Sequence, residues 1–284
     1  VAIVGIATAA DDCERRATST AIPCPETWAD KAFLIPHEGL RLLTTELSDA
    51  VNSPNFDVAA HPWQASTLVT WFHSFYLPLV EHHHEVEERL YFPWMESRLT
   101  ALGKTIPELP IGHPELMQLL ASTNDAIEAL ATAEDPTAAT AELRASLAAF
   151  VGKLLAHLEA EEHLLTPLLL AHFTQEENVA VTNRIIQDLG WFGNKAMLPP
   201  IFDAMELWGG PEGVEWMASK VPAPIMMMYR MVWTTDRRIN SKGALAAVRD
   251  AQAPSFSLAG LVARHAEFGG LAVFLTIMVT GIFA

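Results

Sequence analysis

A histidine, a glutamate one helical turn later and a second glutamate directly after it occur twice in this chain, each time inside an apolar stretch and ahead of a proline. The first copy lies in EHHHEVEERLYFPW and reads His83, Glu87, Glu88, Pro93; the second, in HLEAEEHLLTP, reads His157, Glu161, Glu162, Pro167. The shared pattern is H-x3-E-E-x4-P, and of three consecutive histidines only His83 aligns in full with His157. A spacing of four puts histidine and glutamate on one face of a helix, one turn apart. At about 100° per residue, Phe72, Tyr76, Leu79, Glu87, Leu90 and Trp94 fall within roughly 40° of His83. Leu143, Phe150, Glu161, Leu164 and Leu168 share the stripe of His157 in the same way. An imidazole and a carboxylate in the middle of an apolar stripe are costly to bury unless something satisfies both. A metal ion would.

Helical periodicity dominates the rest of the chain, with no sustained alternation or hairpin turns. Pro- and Gly-bearing stretches (NSPNF, ALGKTIPELPIGHP, AEDPTA, MLPP, WGGPEG) separate the segments. Helices are expected near 36–51, 63–102, 114–132 and 136–173, which predicts an all-α fold with an up-and-down four-helix bundle over 28–174. Beyond Phe173 come eight of the ten methionines and a single histidine, His265. Residues 175–284 read as a Met-rich helical extension packing on the bundle or on a membrane. Residues 1–27 form a separate N-terminal segment. Its apolar opening, VAIVGIATAADD, reads as a processed targeting remnant or as the start of a buried element.

Two further helices should supply ligands. His37, in FLIPHEGLRLL, lies near Phe33 and Leu40; His113, in IGHPELMQLL, opens the third helix with Leu120, Asn124 and Ile127 on its face. Pro114 puts His113 at a helix N-terminus, where a surface histidine is equally at home. Two ions in a bundle core could share carboxylate bridges, one from each helix. Imidazole with carboxylate suits iron, with zinc and manganese as alternatives. His73, His82 and His84 line the shoulders of the second helix as solvated or interfacial side chains, or hold a ligand from behind. His61 belongs to a loop, and His163 and His172 fall off the fourth-helix stripe. Tyr76 reads as core packing and Pro78 as a kink. There is no nucleophile triad and no Gly-rich phosphate loop.

From about Pro36 to Phe173 the chain resembles the hemerythrin-like, or HHE cation-binding, family. The resemblance rests on PHEGLR, HHHEVEERLYFP, GHPELMQLL and HLEAEEHLLTP. It implies a non-haem di-iron centre with His37, His83, His113 and His157 as terminal ligands and Glu87 and Glu161 as bridges. Family members bind O2 reversibly, sense oxygen or iron, store iron, or handle nitric oxide and peroxide. The oxygen carriers have a further histidine one turn into the third helix, where this chain has Met117, and an aspartate where it has Glu161. The expectation is a di-iron protein in oxygen, nitric oxide or iron handling or sensing, with a small ligand such as O2, NO or peroxide. The alternatives are a redox enzyme that consumes O2 or peroxide and, more weakly, a membrane-associated structural bundle.

Composition narrows the partners. With Lys+Arg at 18 against Asp+Glu at 34 and a net charge of -16, the chain lacks the cationic surface that neutralises nucleic-acid phosphates. Cys13 and Cys24 could close a small loop or stay as free thiols, but two thiolates do not make a structural zinc site. The last 17 residues, from Phe268 to Ala284, carry no charge. They sit at the lower length limit for a membrane span, and their glycines favour a buried terminal helix over an anchor. A soluble cytoplasmic or organellar protein is expected, with membrane anchoring as the alternative.

Overall fold

A computed structural model describes residues 27–253. Every regular element among them is helical. The N-terminal stretch with Cys13 and Cys24, His265, and the tail from Phe268 to Ala284 lie outside the described residues.

Helix α1 (Trp28–Val51) starts at a capping box. The Asp30 amide donates to Thr27 Oγ1 at 3.2 Å and the Thr27 amide to the Asp30 carboxylate at 2.8 Å. Two donors that a helix start leaves free are thereby satisfied. This cap carries the helix through Pro36, where the sequence placed its beginning.

The second helical column, α2, runs through residues 63–101 with π turns at Phe72–Tyr76 and Glu87–Tyr91. Each π turn ends two residues before a proline, Pro78 or Pro93. Proline has no N–H to donate, and its ring crowds the carbonyl four residues back. The wider turn absorbs that mismatch, so the column continues. It also shifts the buried face. After Glu87 the buried positions are Tyr91, Met95 and Leu99, while Leu90 and Trp94, expected from a uniform period, are half-buried.

Next come α3 (His113–Ala129) and α4 (Pro136–His172), the latter capped by Asp135, which accepts from the Thr137 and Ala138 amides. Helix α5 (Gln175–Asp188) opens with a second capping box, Thr174 and Glu177. Helix α6 (Gly190–Ala218) breaks at Gly210, whose φ of 61° precedes Pro211. A last column, α7, spans residues 223–250. No helix among the described residues is long and apolar enough to cross a membrane.

Helix α1 packs along α4 and α6, α3 along α4, and the end of α7 across α1 and the start of α2. Gly39 permits the α1–α6 contact, since a Cβ there would lie 2.9 Å from Ile201 Cγ1 and 3.1 Å from its backbone nitrogen. One apolar cluster joins Leu40, Tyr76, Leu79, Leu120 and Phe150 to Met197, Ile201 and Leu245 of the later helices. The change of composition after Phe173 is therefore no break in packing. A second cluster holds Phe33, Tyr91, Met95, Leu165 and Leu169.

A buried polar layer lies between the two clusters. Helix α1 passes from Phe33 through His37 to Leu40, and α2 from Leu79 through His83, His84 and Glu87 to Tyr91. Helix α3 starts in the layer at His113 and leads to Leu116, and α4 passes from Leu158 through Glu161 to Leu165. Successive helices run in alternate directions relative to the layer: α1, α2 and α4 pass through it and α3 starts in it.

Candidate metal centre

His37, His83, Glu87, His113, His157 and Glu161 all reach this layer, and none is more than 7% exposed. Together with His84, their ligand atoms form two groups, each within 4.8 Å: His37, His83, Glu87 and Glu161, and His84, Glu87, His113 and His157. Glu87 divides its oxygens between them. Its Oε1 is 3.3 Å from His83 Nε2 and 3.9 Å from His37 Nε2, and its Oε2 is 3.6 Å from His113 Nε2. Glu161 does the same: Oε2 lies 3.4 Å from His37 Nε2, while Oε1 lies 3.3 Å from His157 Nε2 and 3.6 Å from His113 Nε2.

The rings are held from behind. His37 Nδ1 lies 2.7 Å from Glu162 Oε1, which also accepts from Arg41 at 2.8 Å. His113 Nδ1 lies 2.6 Å from Glu88 Oε1, His84 Nδ1 2.7 Å from the Val80 carbonyl, and His157 Nδ1 3.0 Å from the Ile111 carbonyl. Every one of these partners is an acceptor, so Nδ1 carries a proton and each ring turns its Nε2 into the layer. The second glutamate of each repeat therefore has its own part: Glu88 and Glu162 each orient a histidine from another helix.

The donor set suits cations. The Nε2 atoms of His37, His83, His84, His113 and His157, with Glu87 Oε2 and both Glu161 oxygens, are buried without a hydrogen-bond partner among the described residues. An unsatisfied buried polar group costs about 1–3 kcal/mol, and here lone pairs face lone pairs. Without cations, protons must do the work. Burial and the Glu161 charge push Glu87 up to about 7. Burial opposes charge on His37, but the carboxylates of Glu161, Glu162 and Glu87 that face its two ring nitrogens outweigh it and raise His37 well above 6.5. Burial, then the neighbouring imidazoles, lower His83 and bring His84 to about 3. Burial works against the Glu161 carboxylate too, but the imidazoles of His113 and His37 beside it prevail and lower it.

His84 is the residue that sequence reasoning misplaced. Expected on a shoulder with His73 and His82, it is only 3% exposed, its ring 4.7 Å from that of His113. A wheel centred on His83 puts His84 about 100° away; centred on Glu87, the two flank it at roughly 40° and 60°. The side chains of His82 and His73 are 33% and 39% exposed. Tyr76 meets Thr44 at 2.7 Å, hydroxyl to hydroxyl, within the apolar cluster.

A cavity of ≈ 810 Å³ between α1, α2, α5 and α6 reaches the layer at His83 and Glu87. No curated protein and no solved structure matches the chain. Residues 31–169 match the family described as hemerythrin HHE cation binding domain. With its His and Glu side chains gathered in one buried layer, this part of the chain belongs to the hemerythrin HHE cation-binding domain family.

Proposed function

We propose that the domain is an up-and-down four-helix bundle holding a non-haem di-iron centre, and that it serves in oxygen, nitric oxide or iron handling or sensing. The carrying observation is the division of Glu87 and Glu161, each offering one oxygen to each set of histidines. The alternating direction of α1 to α4 relative to the polar layer supports the bundle topology. In this reading Glu87 and Glu161 would be shared by the two ions, with His37 and His83 holding one and His84, His113 and His157 the other. His84 takes the part of the histidine that Met117 replaces. Mixed imidazole and carboxylate donors suit iron, with zinc and manganese as alternatives. Iron would supply a redox couple and a coordination position for O2, nitric oxide or peroxide.

The chain's own residues prepare that position. Glu162 and Glu88 fix the tautomers of His37 and His113. Phe33 and Tyr91 cover the layer on one side and Leu79 and Leu158 on the other. His83 and Glu87, from the set with fewer histidines, line the cavity, so a small ligand arriving there meets the side with fewer protein donors. The same cavity favours a second reading, a redox enzyme that consumes O2 or peroxide. Stopped-flow spectra of the reduced protein mixed with O2, nitric oxide or peroxide separate the two. The account expects an adduct that reverses when the ligand is removed; steady consumption of oxidant supports the second reading, and no spectral response to any of them contradicts both.

A further inference from the structure

The cavity that ends at His83 and Glu87 is much larger than a diatomic ligand needs. At ≈ 810 Å³ it lies within the range of about 300–1,000 Å³ that holds drug-sized organic molecules. It runs from the exposed Lys220 and Trp216, past the half-buried Lys31, to the buried polar layer. Its inner wall is apolar, with Phe33, Met197 and Ile201. The protein has a net charge of -16, yet among the described residues the only charged ones lining this cavity, apart from Glu87, are Lys31 and Lys220. Their ammonium groups lie 5.5 and 5.8 Å from the centre of the Trp216 ring, and neither forms an ion pair among the described residues. Asn194, fully buried, also lines the cavity. Its Nδ2 donates to the Ile186 and Gly190 carbonyls, which fixes the amide orientation and leaves Oδ1 buried without a partner. An apolar wall with two cations at the mouth and an idle acceptor inside is a place for an organic molecule.

We propose that this cavity binds an amphipathic organic anion, its acidic group at Lys31 and Lys220 and its apolar body directed towards His83 and Glu87. The proposal rests on the di-metal reading only in what the inner end of the ligand meets; the cavity and its lysines stand without it. A hydrophobic tail gains by leaving water for this wall, and the carboxylate gains from two ammonium groups beside an aromatic face.

The test is calorimetric titration of decanoate, below its micellar concentration, into full-length protein of measured metal content, with decanol as the uncharged control. The expected result is saturable binding of decanoate in both metal-loaded and metal-free protein. The double substitution Lys31→Gln and Lys220→Gln, at partly or fully exposed positions, should weaken decanoate roughly tenfold and leave decanol unchanged. In cobalt-loaded protein the methyl end of bound decanoate should relax faster than the methylene beside the carboxylate. Absence of saturable decanoate binding, equal loss for decanol, or the reverse relaxation order overturns the proposal. Lysine-dependent binding by a chain that takes up no metal would uphold the cavity and sink the di-iron reading. Full metal loading without decanoate binding would do the opposite.

Discussion

Glu87 stands between two histidines of its own helix, His83 one turn behind at i−4 and His84 at i−3. Both turn Nε2 inward, and the two oxygens of Glu87 face different histidine sets. His84→Ala should therefore lose about half of the bound metal, since only one set contains it, while the half-exposed His82→Ala keeps all of it; metal analysis of the purified variants checks this. Full retention in His84→Ala would return that ring to a packing role. Glu162→Gln should weaken metal binding about 10- to 100-fold by loosening His37, whereas Glu159→Gln, on an exposed turn of the same helix, should leave it unchanged in a competition with a chelator. The candidate ligands His83, Glu87, His157 and Glu161 were legible because two repeats place charge inside apolar stripes. His84 was not, because the repeat aligns it with Leu158, a plain core residue that is fully buried. The work of Glu88 and Glu162 was hidden for a different reason: each serves a histidine on another helix, and no spacing along the chain records that.

Among the elements, α2 shows how far periodicity can be trusted. Up to Glu87 the uniform wheel picks the buried side chains Phe72, Tyr76 and Leu79. Past the π turn at Glu87–Tyr91 it picks Leu90 and Trp94, where the structure buries Tyr91 and Met95. Pro93 was the available signal, as an interior proline in a helix that has to continue. From the sequence α1 was expected to start near Pro36, whereas the Thr27–Asp30 capping box starts it at Trp28. Contact between α1 and α6 depends on Gly39. Gly39→Ala gains helix propensity worth about 0.5–1 kcal/mol, but the methyl would press into Ile201, its backbone included, at an overpacking cost of about 1–3 kcal/mol. Net destabilisation is expected, read as a lower midpoint in urea. An unchanged or higher midpoint would mean that α6 can move away freely.

In the molecule as a whole, one charged layer lies between two apolar clusters, and the later helices α6 and α7 complete the larger of them. Metal and protons compete for that layer. Glu87, raised from 4.5 to about 7 in the metal-free fold, contributes stability that is complete below 4.5 and lost as pH rises through 7. His37, raised above 6.5, likewise contributes below 6.5 and loses that contribution at higher pH. His83 and His84, both lowered, contribute above 6.5 and lose it as pH falls. Metal binding must displace the protons on Glu87 and His37, so it strengthens as pH rises past about 7. The difference in melting temperature between loaded and chelated protein should be larger near pH 8 than near pH 5; equal differences would place these carboxylates outside the core. The most direct test of the account is the metal content of full-length protein purified from an iron-replete host, measured per chain by elemental analysis. The account predicts about two irons per chain, falling to about one in His84→Ala. A content near zero, or stoichiometric zinc in place of iron, would contradict it.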